Sequence, residues 1–390
     1  MTIRLVQDTI DTQDIDRLVT WLQTYPRLTK GPLTIEFEQK FAKWIGTEYA
    51  VFVNSGSSAN LLMLYTLVAL GALRNNKIVV PALSWATDLA PVIQLGLQPL
   101  LVDCNVKNLS VDTEHLKEIF KKESPSALIL VSALGLSPDM QEVVELCETY
   151  GVILLEDNCE SQGTEYAGRK LGTFGLMSSF STYFGHIMST IEGGVITTDD
   201  EQVYEMLLKL RSHGWSRDLK QESKDDLRSQ WSVDEFSELY TFYEAGFNLR
   251  ATDLQAFIGL TQLEKVDTMI VQRNKNFNLF KELLSPHVWF PKEEPDSFTA
   301  SFCIPVIMGS VAQKEHLIKL LRESDIECRP LISGSMGTQP FYKKLYGELV
   351  LKNSSLIDRM GMYVPNHPSM TNEEIQLICD KIIEASRIGT

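Results

Sequence analysis

Ser178 to Thr198 reads SSFSTYFGHIMSTIEGGVITT. Serine and aromatic residues alternate at its start as they do along a strand, His186 follows a glycine, and Glu192-Gly193-Gly194 precedes a second short strand over Val195 to Thr198. Strand, tight loop and strand place His186 at a turn. An imidazole on an exposed turn is ordinarily a satisfied loop residue, so its meaning depends on what the flanking chain builds around it.

Upstream, apolar runs of a few residues recur at Tyr49–Val53, Lys77–Pro81, Pro99–Asp103, Ala127–Ala133 and Val152–Asp157. Helical patterns separate them, among them Thr113–Lys122 and Met140–Tyr150, and this alternation predicts a parallel, doubly wound sheet with ligands at the carboxyl ends of its strands. Asp157 stands at such an end, where a carboxylate serves either as a helix cap or as a ligand group. Asn54 to Asn60, NSGSSAN, is a small-residue turn into the apolar helix Leu61–Leu73. It reads either as a plain N-cap or as an anion site on free helix N–H groups, with Gly56 and Ser57 at the approach. Trp85, in the loop after Lys77–Pro81, is either core or a flat surface for a planar ligand.

Downstream, Arg211 to Arg217 (RSHGWSR) enters the polar segment Asp218–Glu238, which is expected to be a mobile covering loop. Gly246 to Arg250 (GFNLR) precedes a helix from about Thr252, in which Asn248 and Arg250 read as cap and surface charge. The remainder carries strand-like Ala300–Val306, helix Val311–Ser324, the Glu327–Pro330 strand end with Arg329, and a final helix from Asn372. Three units are therefore expected: an arm over 1–27 associated with the small lobe, a large domain over 28–260, and a small α+β domain over 261–390. The arm carries an amphipathic helix with Ile15, Leu18, Val19 and Leu22 at helical spacing.

A chain of 390 residues with 44% hydrophobic content buries a large core. Its charge of -15, from 51 acidic and 36 basic residues without a dense Lys/Arg block, argues against a nucleic-acid partner. The longest apolar run is shorter than the roughly 20 residues that cross a bilayer, and charged residues occupy the first 27 positions, so the expectation is a cytoplasmic enzyme with no membrane partner. The six cysteines lack CxxC or CxC spacing, which argues against zinc or an iron–sulfur cluster, and no metal site is expected.

The spacing of Ser181, His186 and Glu192-Gly193-Gly194, together with EDNCESQG at 156–163, SGSSA at 55–59 and GFNLR at 246–250, resembles the DegT/DnrJ/EryC1/StrS sugar aminotransferases. The resemblance spans nearly the whole chain. It implies an α/β chain of pyridoxal-phosphate fold type I, similar to aspartate aminotransferase, with a mostly parallel central sheet and a smaller C-terminal lobe. It further implies that Gly56, Ser57 and Ser181 hold a cofactor phosphate, that Trp85 stacks on the pyridine ring, and that Asp157 pairs with the ring nitrogen. Glu160 takes the place of the family's glutamine near the ring hydroxyl. Asn248 would reach the cofactor phosphate of a second subunit, which makes the expected assembly a homodimer with shared active sites. His213, Arg217, Arg250 and Arg329 would face a nucleotide-sugar substrate.

His186 occupies the position where that family keeps its cofactor lysine, and Lys170, the lysine between 160 and 200, is out of register. Imidazole has no primary amine, so pyridoxal 5′-phosphate or pyridoxamine 5′-phosphate would be held non-covalently. Histidine there marks the sugar 3-dehydratase branch. The implied reaction joins a pyridoxamine cofactor to the C4 ketone of a 4-keto-6-deoxy sugar, uses His186 as base and then as acid for the departing C3 hydroxyl, and regenerates the amine from L-glutamate. Without clustered cysteines, and with EDNCES, GTFGLM and IECRP as they stand, the resemblance points to a GDP-linked 4-keto-6-deoxy-D-mannose on the way to colitose. A CDP- or dTDP-linked sugar and a lysine-less, non-catalytic binding protein are the alternatives.

Overall fold

The apolar five-residue runs become the strands of one sheet. In the computed structural model, which describes residues 2 to 388, these are β1 (Tyr49–Val53), β2 (Lys77–Pro81), β3 (Gln98–Val102), β4 (Ala127–Val131) and β5 (Ile153–Asp157). A small ribbon follows, β6 (Glu165–Tyr166) with β7 (Arg169–Lys170), and then β8 (Met177–Ser181) and β9 (Gly194–Thr198). The sheet order is β1-β9-β8-β5-β4-β2-β3, and β9 alone runs against the other six. The mostly parallel sheet expected from the alternation is therefore present.

Period-2 alternation sends each strand's side chains to two different cores. Ile78, Val80, Ala127, Ile129 and Val131 face α3 (Gly56–Ala69), α4 (Ala86–Gln94) and α7 (Glu201–Arg211), against Leu62, Leu89 and Leu207. Val79, Leu128, Leu130 and Leu154 face α5 (Thr113–Glu123) and α6 (Met140–Tyr150), against Phe120 and Val143. At the other end of that second face, α2 (Pro32–Ile45) and α10 (Asp253–Leu263) cover Phe52, Phe180 and Val195.

The first turns of α11 (Val266–Leu284) pack with that group through Val266, Met269 and Ile270, whereas Phe277, Phe280 and Leu284 enter the core of the C-terminal lobe. The lobe holds β11 (Ile304–Ile307), β12 (Arg329–Pro330) and β13 (Gly361–Val364) in the antiparallel order β11-β13-β12. Beside them lie α12 (Val311–Glu323), α13 (Pro340–Tyr346), α14 (Lys352–Met360) and α15 (Asn372–Ser386). Leu83, Leu134 and Leu136 of the large sheet's loops join the same core, so the two parts are packed together. Ile3 bridges to Ile326, which ties the start of the arm to the lobe.

Two segments differ from expectation. Asp218–Glu238 is not an irregular loop but carries α8 (Gln221–Trp231) and α9 (Glu235–Glu238). Its polarity reflects helices that bury nothing in this chain rather than missing structure. The arm helix α1 (Thr12–Leu22) docks on α10 and α11 through its polar side: buried Asp14 accepts from Gln262 and pairs with Lys265, and Trp21 stacks on Phe257 at 4.9 Å. Its apolar residues Ile15 and Val19 remain about half exposed.

Candidate active site

The walls of one cavity, about 560 Å³, come from the carboxyl ends of the sheet strands and from the C-terminal lobe. Gly56, Ser57, Trp85, Asp157, Glu160, Ser181 and His186 all line it, although they are drawn from four separate parts of the sequence. The sheet order explains the convergence, because β8 lies between β5 and β9 and the loops that leave their ends open on the same side.

The loop from 182 to 193 is longer than the tight turn expected, and it is pinned at its base and centre. Thr182 N–H donates to Gly193 O (2.9 Å), Thr190 N–H to Thr182 O (2.8 Å), and the Thr182 and Thr190 hydroxyls meet at 2.5 Å. Fully buried Ile187 and Met188 pull the middle of the loop into the core, and His186, whose N–H donates to Tyr183 O (2.9 Å), sits on the turn above them. Ile191 holds φ at 71°, an unfavourable angle for a β-branched residue, with its N–H donating to Ser189 Oγ. The glycines allow close approach of backbone to backbone. A Cβ on Gly56 would stand 2.7 Å from Ser181 Cβ, and one on Gly194 would strike the carbonyl of Ser55.

Asp157 is buried at the floor. Its Oδ1 accepts from Cys159 N–H (2.9 Å) and its Oδ2 from Asn60 Nδ2 (2.5 Å), while Ser179 Oγ donates to Asn60 Oδ1 and so fixes the amide. Glu160 accepts from Leu134 N–H at 2.8 Å, and burial, with some help from the Asp157 charge, pushes its carboxyl up to about 7. For His186 burial is again the largest influence and holds the imidazole down at about 4. The negative charge of Asp157 opposes this shift, and the buried Arg273 guanidinium reinforces it. At neutral pH the ring is therefore uncharged and able to accept a proton. Its Nδ1 is buried with no protein partner among the described residues, and its face lies 5.3 Å from the ring of Phe302.

The remaining residues singled out from the sequence lie off the cavity walls. Asn248 pairs by backbone with Ser212, and Arg250 with Val53, so this segment runs along the outer side of the turn that holds Gly56 and Ser57. His213 and Arg217 pack on Trp215, with ring centroids 4.8 Å apart for the histidine and the Arg217 guanidinium 3.8 Å above the indole; Arg250 is 5.8 Å from the same ring. Arg329 is exposed but pairs in register with Tyr363, which does line the cavity. Several lining residues carried no signal in the sequence: Leu5 and Val6 of the arm, Phe302, Ile332 and Tyr363 of the lobe, and Asp88. The Asp88 position is an ordinary helix-start acid, and only the fold shows that it faces Asp157. No lysine is among the residues lining the cavity, and Lys170 Nζ donates instead to Trp44 O.

The model of the DegT/DnrJ/EryC1/StrS aminotransferase family matches residues 9–383. GDP-4-keto-6-deoxy-D-mannose 3-dehydratase of Yersinia pseudotuberculosis is 35% identical over 356 residues, which cover 89% of this chain and 90% of that protein. The enzyme of the same name from Escherichia coli O55:H7 is 36% identical over 360 residues, covering 90% and 92%. A crystal structure of GDP-4-keto-6-deoxymannose-3-dehydratase with a trapped PLP-glutamate geminal diamine superposes with a TM-score of 0.90 at 32% identity, covering 97% of this chain and all of that one.

Proposed function

Since this chain belongs to the DegT/DnrJ/EryC1/StrS aminotransferase family, we propose that it is a pyridoxal-phosphate-dependent 3-dehydratase. Its substrate in this reading is GDP-4-keto-6-deoxy-D-mannose, from which it removes the C3 hydroxyl, with L-glutamate restoring the amine form of the cofactor. The observation that carries the reading is a neutral imidazole, His186, on the wall of a cavity that ends in the buried carboxylate Asp157 and has no lysine among its lining residues.

The residues present fit the cofactor. Gly56 leaves open the space a Cβ would fill between α3 and Ser181, and the amino end of α3, with its free N–H groups and positive dipole end, suits a phosphate. Trp85 is 56% exposed on the cavity wall, an aromatic face free to stack on a planar ring. Asp157 would receive the protonated ring nitrogen and Glu160 the ring hydroxyl. When bound there, pyridoxamine phosphate supplies an amine for the C4 ketone and a conjugated ring that accepts electrons from the carbon being deprotonated.

With that group bound, His186 would take a proton at cofactor C4′ and, as imidazolium, would give one to the departing C3 oxygen. Burial makes both roles accessible, since the ring begins uncharged and its conjugate acid is a strong donor in a site of low polarity. Asp157 is held at the floor by Asn60 and the Cys159 N–H. His213, Arg217, Arg250, Asn248 and Arg329 are assigned to the substrate and to the cofactor phosphate of a second subunit in a homodimer. The exposed aromatic residues Phe236, Tyr240 and Phe242, of which Phe242 stacks on Trp215 and Tyr240 lies under Arg217, suit such a contact. A cytoplasmic location belongs to the same reading, supported by six unpaired cysteines and by the lack, among the described residues, of a helix long and apolar enough to span a membrane.

The test is incubation with GDP-, CDP- and dTDP-linked 4-keto-6-deoxy sugars, L-glutamate and pyridoxal phosphate, followed by mass analysis. A 3-deoxy product from the GDP sugar is expected. Reaction with a CDP or dTDP sugar in its place corrects the nucleotide, and no product from any of the three, with a cofactor spectrum that glutamate leaves unchanged, reduces the chain to a binding protein.

A further inference from the structure

Asp88 is a second carboxyl at the floor of the cavity, and its surroundings are unusual. It is 1% exposed, lines the cavity beside Asp157, and has no Lys, Arg or His ion-pair partner among the described residues. Its Oδ2 accepts from Trp85 N–H (2.9 Å) and its Oδ1 from Asn60 Nδ2 (3.1 Å), the same nitrogen that donates to Asp157 Oδ2. Asn60 Nδ2 thus lies between the two carboxyls, with Ser179 locking the amide in that orientation. Two buried carboxyls that accept from one amide nitrogen are close neighbours, and the repulsion of two like charges there favours a proton on one of them.

We propose that Asp88 is a positioning residue that shares a single proton with Asp157, donating it as a neutral acid so that Asp157 stays anionic and oriented while the same side chain anchors the backbone of Trp85. This rests on the reading that Asp157 and Trp85 hold a pyridine ring. The proton goes to Asp88 for a physical reason. Both carboxyls accept from a backbone N–H and from Asn60, but the Asn60 contact is the shorter one at Asp157, 2.5 Å against 3.1 Å. Asp88 is buried more deeply and faces other groups that carry or tend toward negative charge. At the end of β5 and in the loop after it these are Asp157 and Glu160, with the un-ionised Cys159 thiol between them; His186 faces the pair from the β8–β9 loop, and α3 contributes the uncharged Asn60. Burial, and after it the Asp157 charge, push the pKa of the Asp88 carboxyl well above the ordinary carboxylate range, in agreement with that geometry. A single side chain therefore couples the wall that stacks on the ring to the group beneath its nitrogen.

The experiment has two readouts, neither of them turnover. Infrared spectra of apoprotein at pH 7 are recorded in a Glu160→Gln background, which removes the other cavity carboxyl that burial pushes up. A carboxylic-acid carbonyl stretch is expected there and is expected to vanish in Asp88→Asn. In the second readout, titration with pyridoxal phosphate gives the cofactor Kd. Asp88→Asn keeps an acceptor for Trp85 and a donor for Asp157 and should bind within about threefold of wild type, whereas Asp88→Ala should weaken binding by about tenfold or more, the scale of a lost hydrogen bond to a charged group. An acid band that survives in Asp88→Asn, or an unchanged Kd in Asp88→Ala, overturns the proposal. Should Asp88→Ala fail to fold, the band in Asp88→Asn decides. Failure of the wild type to bind pyridoxal phosphate would instead overturn the functional reading, and the two failures are distinguishable because the band is recorded without cofactor.

Discussion

At the scale of single residues, the proposed chemistry reduces to one imidazole that is uncharged because it is buried, set over one buried carboxyl held by hydrogen bonds from Asn60 and the Cys159 N–H. Replacing His186 with asparagine removes the proton carrier and keeps the side chain's size. Pyridoxal-phosphate affinity should be retained, while dehydration and deuterium exchange at cofactor C4′ should fall by at least about a hundredfold, the usual scale of a general base. Retained exchange in that variant would take the histidine out of the base role. His186→Lys restores a primary amine to the same wall, and the expected outcome is a covalent cofactor adduct, visible by mass after borohydride reduction, with most dehydration lost. Undiminished dehydration with no adduct would show that the exchange of lysine for histidine does not direct the reaction. His186 could be found from sequence because its spacing to Ser181 and to the glycine pair is local. Asp88 could not, since an acid three residues after Trp85 is fully accounted for as a helix-start cap, and its contact with Asp157 exists only across two strands of the sheet.

Among the elements, buried polar groups set how the pieces meet. Glu156, 1% exposed, accepts from the N–H groups of Gly172, Phe174 and Gly175 and so holds the approach to β8, which ends in Ser181. Asp253 closes the amino end of α2 from a distant part of the chain, accepting from Gly31 and Thr34 N–H and from Thr34 Oγ1. Asp253→Ala should cost about 2 kcal/mol in urea unfolding, because it strips a helix cap and leaves buried donors unsatisfied; a cost near zero would mean that water replaces the carboxylate. Arg211, fully buried, binds Glu38 and the carbonyl of Phe52 and also pairs with Asp218, thereby linking α2, β1 and α7 to the segment that leads into α8. Arg211→Met should cost roughly 3 to 5 kcal/mol by stranding Glu38, and Glu38→Leu on top of it should restore part of the loss. Secondary-structure boundaries were largely legible: β1 and β2 fall where the apolar runs predict, and so does α6. The exception is α8, whose polar sequence hid a helix because it buries none of its residues in this chain.

For the molecule as a whole, the buried titratable groups pull stability in opposite directions with pH. His186 and His367 are both held near 4 by burial, so between pH 6.5 and 4 the unfolded chain binds protons that the folded chain refuses. Their contribution is complete above 6.5 and is lost as the pH falls, by at most about 1.4 kcal/mol per pH unit for each histidine. Glu160 has the reverse sign: raised from 4.5 to about 7, its contribution is complete below 4.5 and is lost as the pH rises through 7. Thermal melts between pH 4.5 and 6.5 should therefore show a steeper loss on acidification in Glu160→Gln than in wild type and a shallower one in His367→Asn. The opposite order would mean that these groups are not buried as described. The half-exposed stripe of Ile15 and Val19 and the aromatic group at Phe236, Tyr240 and Phe242 are suited to a second subunit, and light scattering at micromolar concentration should report a dimer. Read along the chain, alternating apolar runs and helical patterns were enough for a mostly parallel α/β sheet, and a resemblance carried by short-range spacing was enough to single out His186, which lines the cavity, because both depend on neighbours a few positions apart. The pairing of Asp88 with Asp157, the lobe residues Phe302 and Tyr363 on the cavity wall, and the arm residues Leu5 and Val6 beside them emerged only on folding. They meet through packing between segments tens to hundreds of residues apart, and no local pattern in a single chain encodes which of its many acids and aromatics will share one dry floor.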